Sequence, residues 1–217
     1  MKTTALGISL LFLAGCAHVA QYEPRYVASS MQHFSPTVTG KALVITDAAQ
    51  DEQVYAVHPS SLTGATSTFQ ATVGAFLRDV FLEVFSHTFS NGSSHAHERS
   101  QEAGTATVVV KPQLLTFDYR YNQLKNLGLM ITPEARVQVR VAIADGEGRP
   151  LSDQTYDSGF VSGGSYALDF KPAEKINRAL HRALVTIAEA AAKDAGETLS
   201  RQRHGQDVST QMKSRVE

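Results

Sequence analysis

Imidazole nitrogens, one thiol and scattered carboxylates are the groups in this chain that can ligate, attack or move protons, and their spacing limits what they can do. His95 and His97 stand two residues apart, with Glu98 beside them and His87 upstream. On an extended strand a spacing of two puts both rings on one face, and neutral imidazole is a good ligand for zinc or copper. No cysteine lies near them, and His97-Glu98 lacks the second histidine of a zinc-protease helix. The surrounding residues 91–104 are polar and contain Gly92 and Gly104, so they read as an exposed loop with solvated histidines. No resident metal is expected, and His95 and His97 are the candidates if one binds. Asp118 and Asp157 stand alone in sequence, and Ser162-Gly163-Gly164-Ser165 has no base beside it. The chain contains no Gly-x-Ser-x-Gly elbow, no Gly-x-x-x-x-Gly-Lys phosphate loop and no Gly-x-Gly-x-x-Gly turn. The expectation is therefore a protein without catalytic residues or a diffusible cofactor.

The thiol belongs to a second pattern. Cys16 is the only cysteine, so the chain has no internal disulfide. Lys2 precedes the apolar run Ala5-Leu6-Gly7-Ile8-Ser9-Leu10-Leu11-Phe12, which leads into Leu13-Ala14-Gly15-Cys16. A positive start, an apolar stretch of roughly 7–15 residues and small residues at its end make a secretory signal, whereas a bilayer span needs about 20. An unpaired thiol in an oxidising compartment is a liability unless it is used. Leu13-Ala14-Gly15-Cys16 resembles the lipobox of bacterial lipoproteins. The resemblance implies that residues 1–15 are a signal peptide cut before Cys16. It also implies that the thiol carries diacylglycerol and that the new amino terminus carries an acyl chain such as palmitate. One chain holds a protein only marginally at about 0.8 kcal/mol per buried methylene, so two or three on one residue make a durable anchor. Residue 17 is alanine, where the inner-membrane retention signal in many Gram-negative bacteria has aspartate. The resemblance thus implies the outer membrane, periplasmic side, ahead of the inner membrane.

Beyond the signal about 200 residues remain, which suits one domain with tails. Twenty basic and 21 acidic residues leave a net charge of −1. That balance gives no electrostatic reason to expect nucleic acid as a partner.

Elements that would carry these residues follow from periodicity. Residues 16–40, mixed in composition with Pro24 and Pro36, read as a lipidated tether, with Tyr22, Tyr26 and Phe34 able to pack back. The domain then covers residues 41–199. Its first strand is the β-branched run 41–46, buried on both sides and ended by Asp47, and a short second strand covers 54–57. Phe69, Val73, Phe76, Leu77, Val80, Phe81, Val84 and Phe85 fall on one face of a helix. Strand-like runs at 105–110 and 114–121 are joined or bent at Lys111-Pro112, and 136–144 alternates valine or isoleucine with arginine or glutamine. Asp145-Gly146-Glu147-Gly148 is a hairpin turn, followed by a returning strand at 151–160. Between the regular strands, Leu127, Leu129, Met130 and Ile131 make an apolar tip. Exposed, it is a docking site for a partner or lipid; packed, it extends the strands. A second helix covers 172–199, and residues 200–217 read as a polar tail, either disordered or a frayed helix.

The order predicts an α+β fold, a mainly antiparallel sheet of four to six strands with two long helices packed on one face. With the lipobox, this layout resembles small Gram-negative lipoproteins of the YajG and LptE type, some of which assist outer-membrane assembly or transport. The resemblance implies a non-enzymatic binding or assembly subunit with the membrane and an envelope protein as its partners. The alternatives are an envelope hydrolase and a lipid or small-ligand carrier.

Overall fold

Strict alternation over two long strands builds the centre of the molecule, for which the computed structural model describes residues 17–31, 37–62, 65–98, 104–123, 130–165 and 172–213. In chain order the elements are β1 (Ala17–Val19), α1 (Pro24–Ser30), β2 (Ala42–Ile45), α2 (Ala48–Glu52), β3 (Tyr55–Val57) and β4 (Thr68–Ala71). Then come α3 (Val73–Thr88), β5 (Ser93–Ala96), β6 (Val108–Asn122), β7 (Thr132–Asp145), β8 (Pro150–Asp157), β9 (Val161–Ser162) and α4 (Pro172–Lys213). The larger sheet has the order β5-β2-β6-β7-β8, with β9 also paired to β7. Its long strands β6, β7 and β8 are antiparallel, whereas β5, β2 and β6 are parallel.

On β7, Val137, Val139, Val141 and Ile143 point into the core while Arg136, Gln138 and Arg140 face water. There Arg136 pairs with Asp157, and Arg140 with Asp153 at 2.6 Å. The α3 and α4 helices lie side by side, α3 against β6 and α4 against β7. Val73, Phe76, Leu77, Val80, Phe81, Val84 and Phe85 are all buried along α3. At about 1.5–3 kcal/mol per side chain their gross burial is on the order of 10–20 kcal/mol. The α+β layout read from the sequence is the one observed, and β2 is buried on both faces as expected. Ala42 and Val44 join the main core, while Leu43 and Ile45 join a smaller cluster with Ala106 and Val109.

Several expectations are corrected. Phe69 is not in a helix: it lies on β4, opposite Val57 of β3 and His18 of β1, in a separate three-stranded sheet of order β1-β4-β3. The four-residue step from Phe69 to Val73 mimics helical spacing, but strand pairing wins over that period. At Pro112 the joined reading holds: the runs on either side are one strand, with a bulge that turns Leu115 outward. Residues 93–96, read as loop, form the edge strand β5. The polar end of the chain continues α4 as far as Lys213, since no proline stops it.

Of the residues of 16–40 able to pack back, Tyr22 and Tyr26 do so, and Phe34 lies outside the described residues. β1 begins at Ala17, and α1 buries Tyr26 and Val27. The fastening point is His181 on α4, which is fully buried. Its ring lies 5.3 Å from those of Tyr22 and Phe76 and 5.4 Å from that of Tyr26. The Glu23 N–H donates to His181 Nε2 at 3.2 Å, so Nδ1 carries the ring proton and donates to the Asn177 carbonyl at 2.9 Å. Asn177 in turn donates to the Gln21 carbonyl at 2.7 Å. A second ring proton would meet the Glu23 N–H head on.

Burial holds the His181 pKa below its ordinary 6.5, outweighing the Asn177 carbonyl and Glu23, which favour the charged form. The unfolded imidazole therefore takes up its proton first. Stability present above the ordinary value is lost as the pH falls from there toward the lower folded value. Thermal melts at about pH 7.5 and about pH 5 should show a decline in Tm that is smaller in His181→Gln than in the wild-type chain. Equal declines would remove His181 as the cause.

Candidate metal centre

The sheet splits where β2 ends. β2 pairs with β5 from Ala42↔Ser93 to Ile45↔Ala96, but with β6 only as far as Val44↔Val110. Past that point the β2-side edge of β6 has no neighbouring strand. Pro112, which has no N–H to offer a ladder, falls in the unpaired stretch. The next N–H on that side, from Leu114, is taken by Gln50 Oε1 at 2.9 Å. The split leaves a cleft of about 410 Å³ lined by Thr46, Asp47, Gln50, His97, Lys111 and Arg140. It lies at the carboxyl ends of parallel strands whose paths diverge, a position where open sheets bind ligands.

Titratable side chains converge beside this cleft. Asp47 ends β2 and accepts the Ala49 N–H at 2.9 Å, which starts α2 and carries Asp51 inward. His95 sits on β5 opposite Val44, and His97 follows the strand on the same face. One ring nitrogen from each histidine and one oxygen of Asp51 lie within 4.8 Å of one another. The two rings meet edge to face at 4.6 Å. The Asp51 side chain is 4 % exposed, and its Oδ2 accepts from Thr46 Oγ1 at 2.8 Å and from Arg78 Nη1 at 3.1 Å. His97 Nδ1 stands 4.0 Å from the same oxygen, while Oδ1 is buried and has no hydrogen-bond partner among the described residues.

Proton counting assigns the His95 tautomer. The single hydroxyl proton of Thr46 goes to Asp51, so the 2.9 Å contact between Thr46 Oγ1 and His95 Nε2 has the ring N–H as donor. His95 Nδ1 is then the lone-pair nitrogen. Burial, with His97 and Arg78 adding to it, lowers the His95 pKa against the opposing pull of Asp51 and Asp79. The neutral ring is the form that can ligate.

His95 and His97 are thus brought together, His95 half-buried on β5 rather than in a loop and His97 exposed just beyond the strand, as expected. Their third partner, Asp51, is more than 40 residues earlier in the chain. Its only sequence signal is its place one turn after a buried strand. His87 and Glu98 are exposed and outside the group. Asp157 is held well below the usual carboxylate range by Arg136. Ser165 Oγ lies 2.7 Å from Thr132 Oγ1, and Ser162 Oγ accepts the Gly164 N–H at 3.2 Å, so both serve the bend after β9. Cys16, Leu127 and Leu129 lie outside the described residues. Met130 and Ile131 are half-buried, and Ile131 packs on the core.

No protein-family model matches the chain, and no curated protein matches it. Solved structures to which it is similar include a proposed lipoprotein of Caulobacter crescentus, at 15 % identity and a TM-score of 0.34, covering 72 % of this chain and 90 % of that one. A minor lipoprotein of Acinetobacter baumannii has 14 % identity and a TM-score of 0.34, covering 74 % and 94 %. A protein of Helicobacter pylori, proposed as a neuraminyllactose-binding hemagglutinin homolog, has 10 % identity and a TM-score of 0.40, covering 80 % and 93 %. Similarity at this level assigns no function.

The position of Asp51 depends on close approach of α2 to α3. Gly74 allows it, since a Cβ there would lie 2.1 Å from the Gln50 carbonyl oxygen. One turn further on, Arg78 reaches Asp51. Gly74→Ala should therefore push the helices apart and lower stability by about 1–3 kcal/mol in urea unfolding. An unchanged midpoint would contradict the contact.

Proposed function

We propose that this chain is a lipid-anchored protein of the bacterial cell envelope, exported by residues 1–15 and acylated on Cys16. It faces the periplasm from the outer membrane and serves as a non-enzymatic binding or assembly subunit of an envelope complex. The observation that carries the reading is the run Leu13-Ala14-Gly15-Cys16, which follows Lys2 and the apolar residues 5–12 and resembles a lipobox. None of the described helices is long and apolar enough to cross a membrane; in this proposal the acyl chains on Cys16 attach the protein.

The packing of the segment after Cys16 onto the domain supports this reading. A residue of extended chain spans at most about 3.3–3.6 Å, so an anchor on Cys16 holds the three-stranded sheet at the bilayer surface. Confinement there raises the effective concentration of the domain for a partner in the same membrane. Residues Leu127 to Ile131 supply the apolar surface for that partner in this proposal, with Met130 and Ile131 at its base.

Cys16→Ser should accumulate as an unprocessed chain that takes up no fatty-acid probe, as read by intact mass and in-gel labelling. Normal processing with normal labelling would refute the anchor.

A further inference from the structure

We propose that Asp51, His95 and His97 form a binding site for a divalent transition-metal ion of the zinc class. Two imidazole nitrogens and a carboxylate oxygen suit a borderline ion, whereas magnesium and calcium prefer oxygen throughout. Three protein ligands leave a coordination position open, and the adjoining cleft gives it access to solvent and to a fourth ligand.

The buried, unpartnered Asp51 Oδ1 is the independent observation in favour. A buried carboxylate oxygen without a donor is costly, and other groups already occupy Oδ2. A cation on Oδ1 supplies the missing partner without disturbing Thr46 or Arg78. Arg78 does not neutralise the site: its guanidinium also bonds Asp79 Oδ1 through Nε at 2.8 Å, so one positive charge is shared between two carboxylates. The balance of these three groups is one negative charge.

The surrounding hydrogen bonds match what metal-binding imidazoles need. Thr46 holds the Nε2–H of His95 and leaves its Nδ1 lone pair for a ligand. Partners of this kind orient the ring, and their loss typically weakens metal binding 10–100-fold. The metal would also join α2 to β5, a four-residue edge strand. The site lies wholly within the domain and stands whether or not Cys16 is acylated.

Zinc titration of the full chain, purified in detergent and stripped with chelator, tests the site by calorimetry and equilibrium dialysis. The expected result is one zinc per wild-type chain and a rise in Tm on binding. Affinity should fall at least about tenfold in His97→Ala and in Thr46→Val, which keeps all three ligands. The His97 side chain is half exposed, so its replacement leaves the core intact, and circular dichroism checks both variants. The chain has five other histidines besides His95, His97 and the buried His181, so a His95→Ala/His97→Ala double variant controls for scattered binding. No zinc uptake by the wild type, or uptake and affinity equal to those of the double variant, overturns the proposal.

Discussion

Close approach of α4 to its neighbours is the constraint on which the other elements depend. Ala179, Ala183, Ala188, Ala191, Ala192 and Ala195 are buried to within 1 % along this helix, among the larger Ile176, Leu180, Leu184 and Ile187. Small side chains bring the helix axis down onto β7 and beside α3, while the larger ones fill the space between. Gly163, next to β9, takes the same logic to its limit, because a Cβ there would lie 1.7 Å from the Lys175 carbonyl oxygen. From the other side Tyr156 of β8 donates to Asp194 at 2.6 Å, which ties the far edge of the sheet to the helix. The segment before β2 adds a further layer, with α1 lying on α4 around His181.

The sheet under this helix has two parts with different consequences. Its antiparallel part, β6 to β8, is a long platform with one wet face laced by arginine–aspartate pairs. Exposed pairs of that kind contribute little to stability, and their role is to keep the open face soluble. The parallel part, β5-β2-β6, is short and ends in the cleft. Two sheet edges diverge there, and polar groups left without ladder partners must find others. Gln50 serves the β6 backbone, and Thr46, Asp51 and Arg78 serve one another and His95. Polar chemistry thus collects where the regular pairing fails.

A bilayer anchor and a metal centre make separate demands on the chain. The anchor needs one reactive side chain at one place in the sequence and asks nothing of the fold. The proposed metal centre needs Asp51 of α2, His95 of β5 and His97 just beyond it, which only the folded domain brings together.

Local patterns explain what was legible from residues alone. Leu13-Ala14-Gly15-Cys16, which resembles a lipobox, is contiguous, and the alternation of β7 and the stripes of α3 and α4 repeat with the period of their own backbone. Burial of one face enforces those periods, so the α+β class and both long helices follow from the sequence by itself. Four features were decided only by tertiary structure: the placement of Phe69 on a strand, the docking of α1, the strand character of residues 93–96 and the meeting of Asp51 with His95 and His97. Each depends on a partner distant in the chain. Short segments such as β1, β4 and β5 have too few residues to establish a period, and backbone hydrogen bonding to a neighbour determines their conformation. The cluster of ligating side chains has no sequence signature for a related reason: its members are set by how β2 pairs with β5, and that pairing is visible only once the chain has folded.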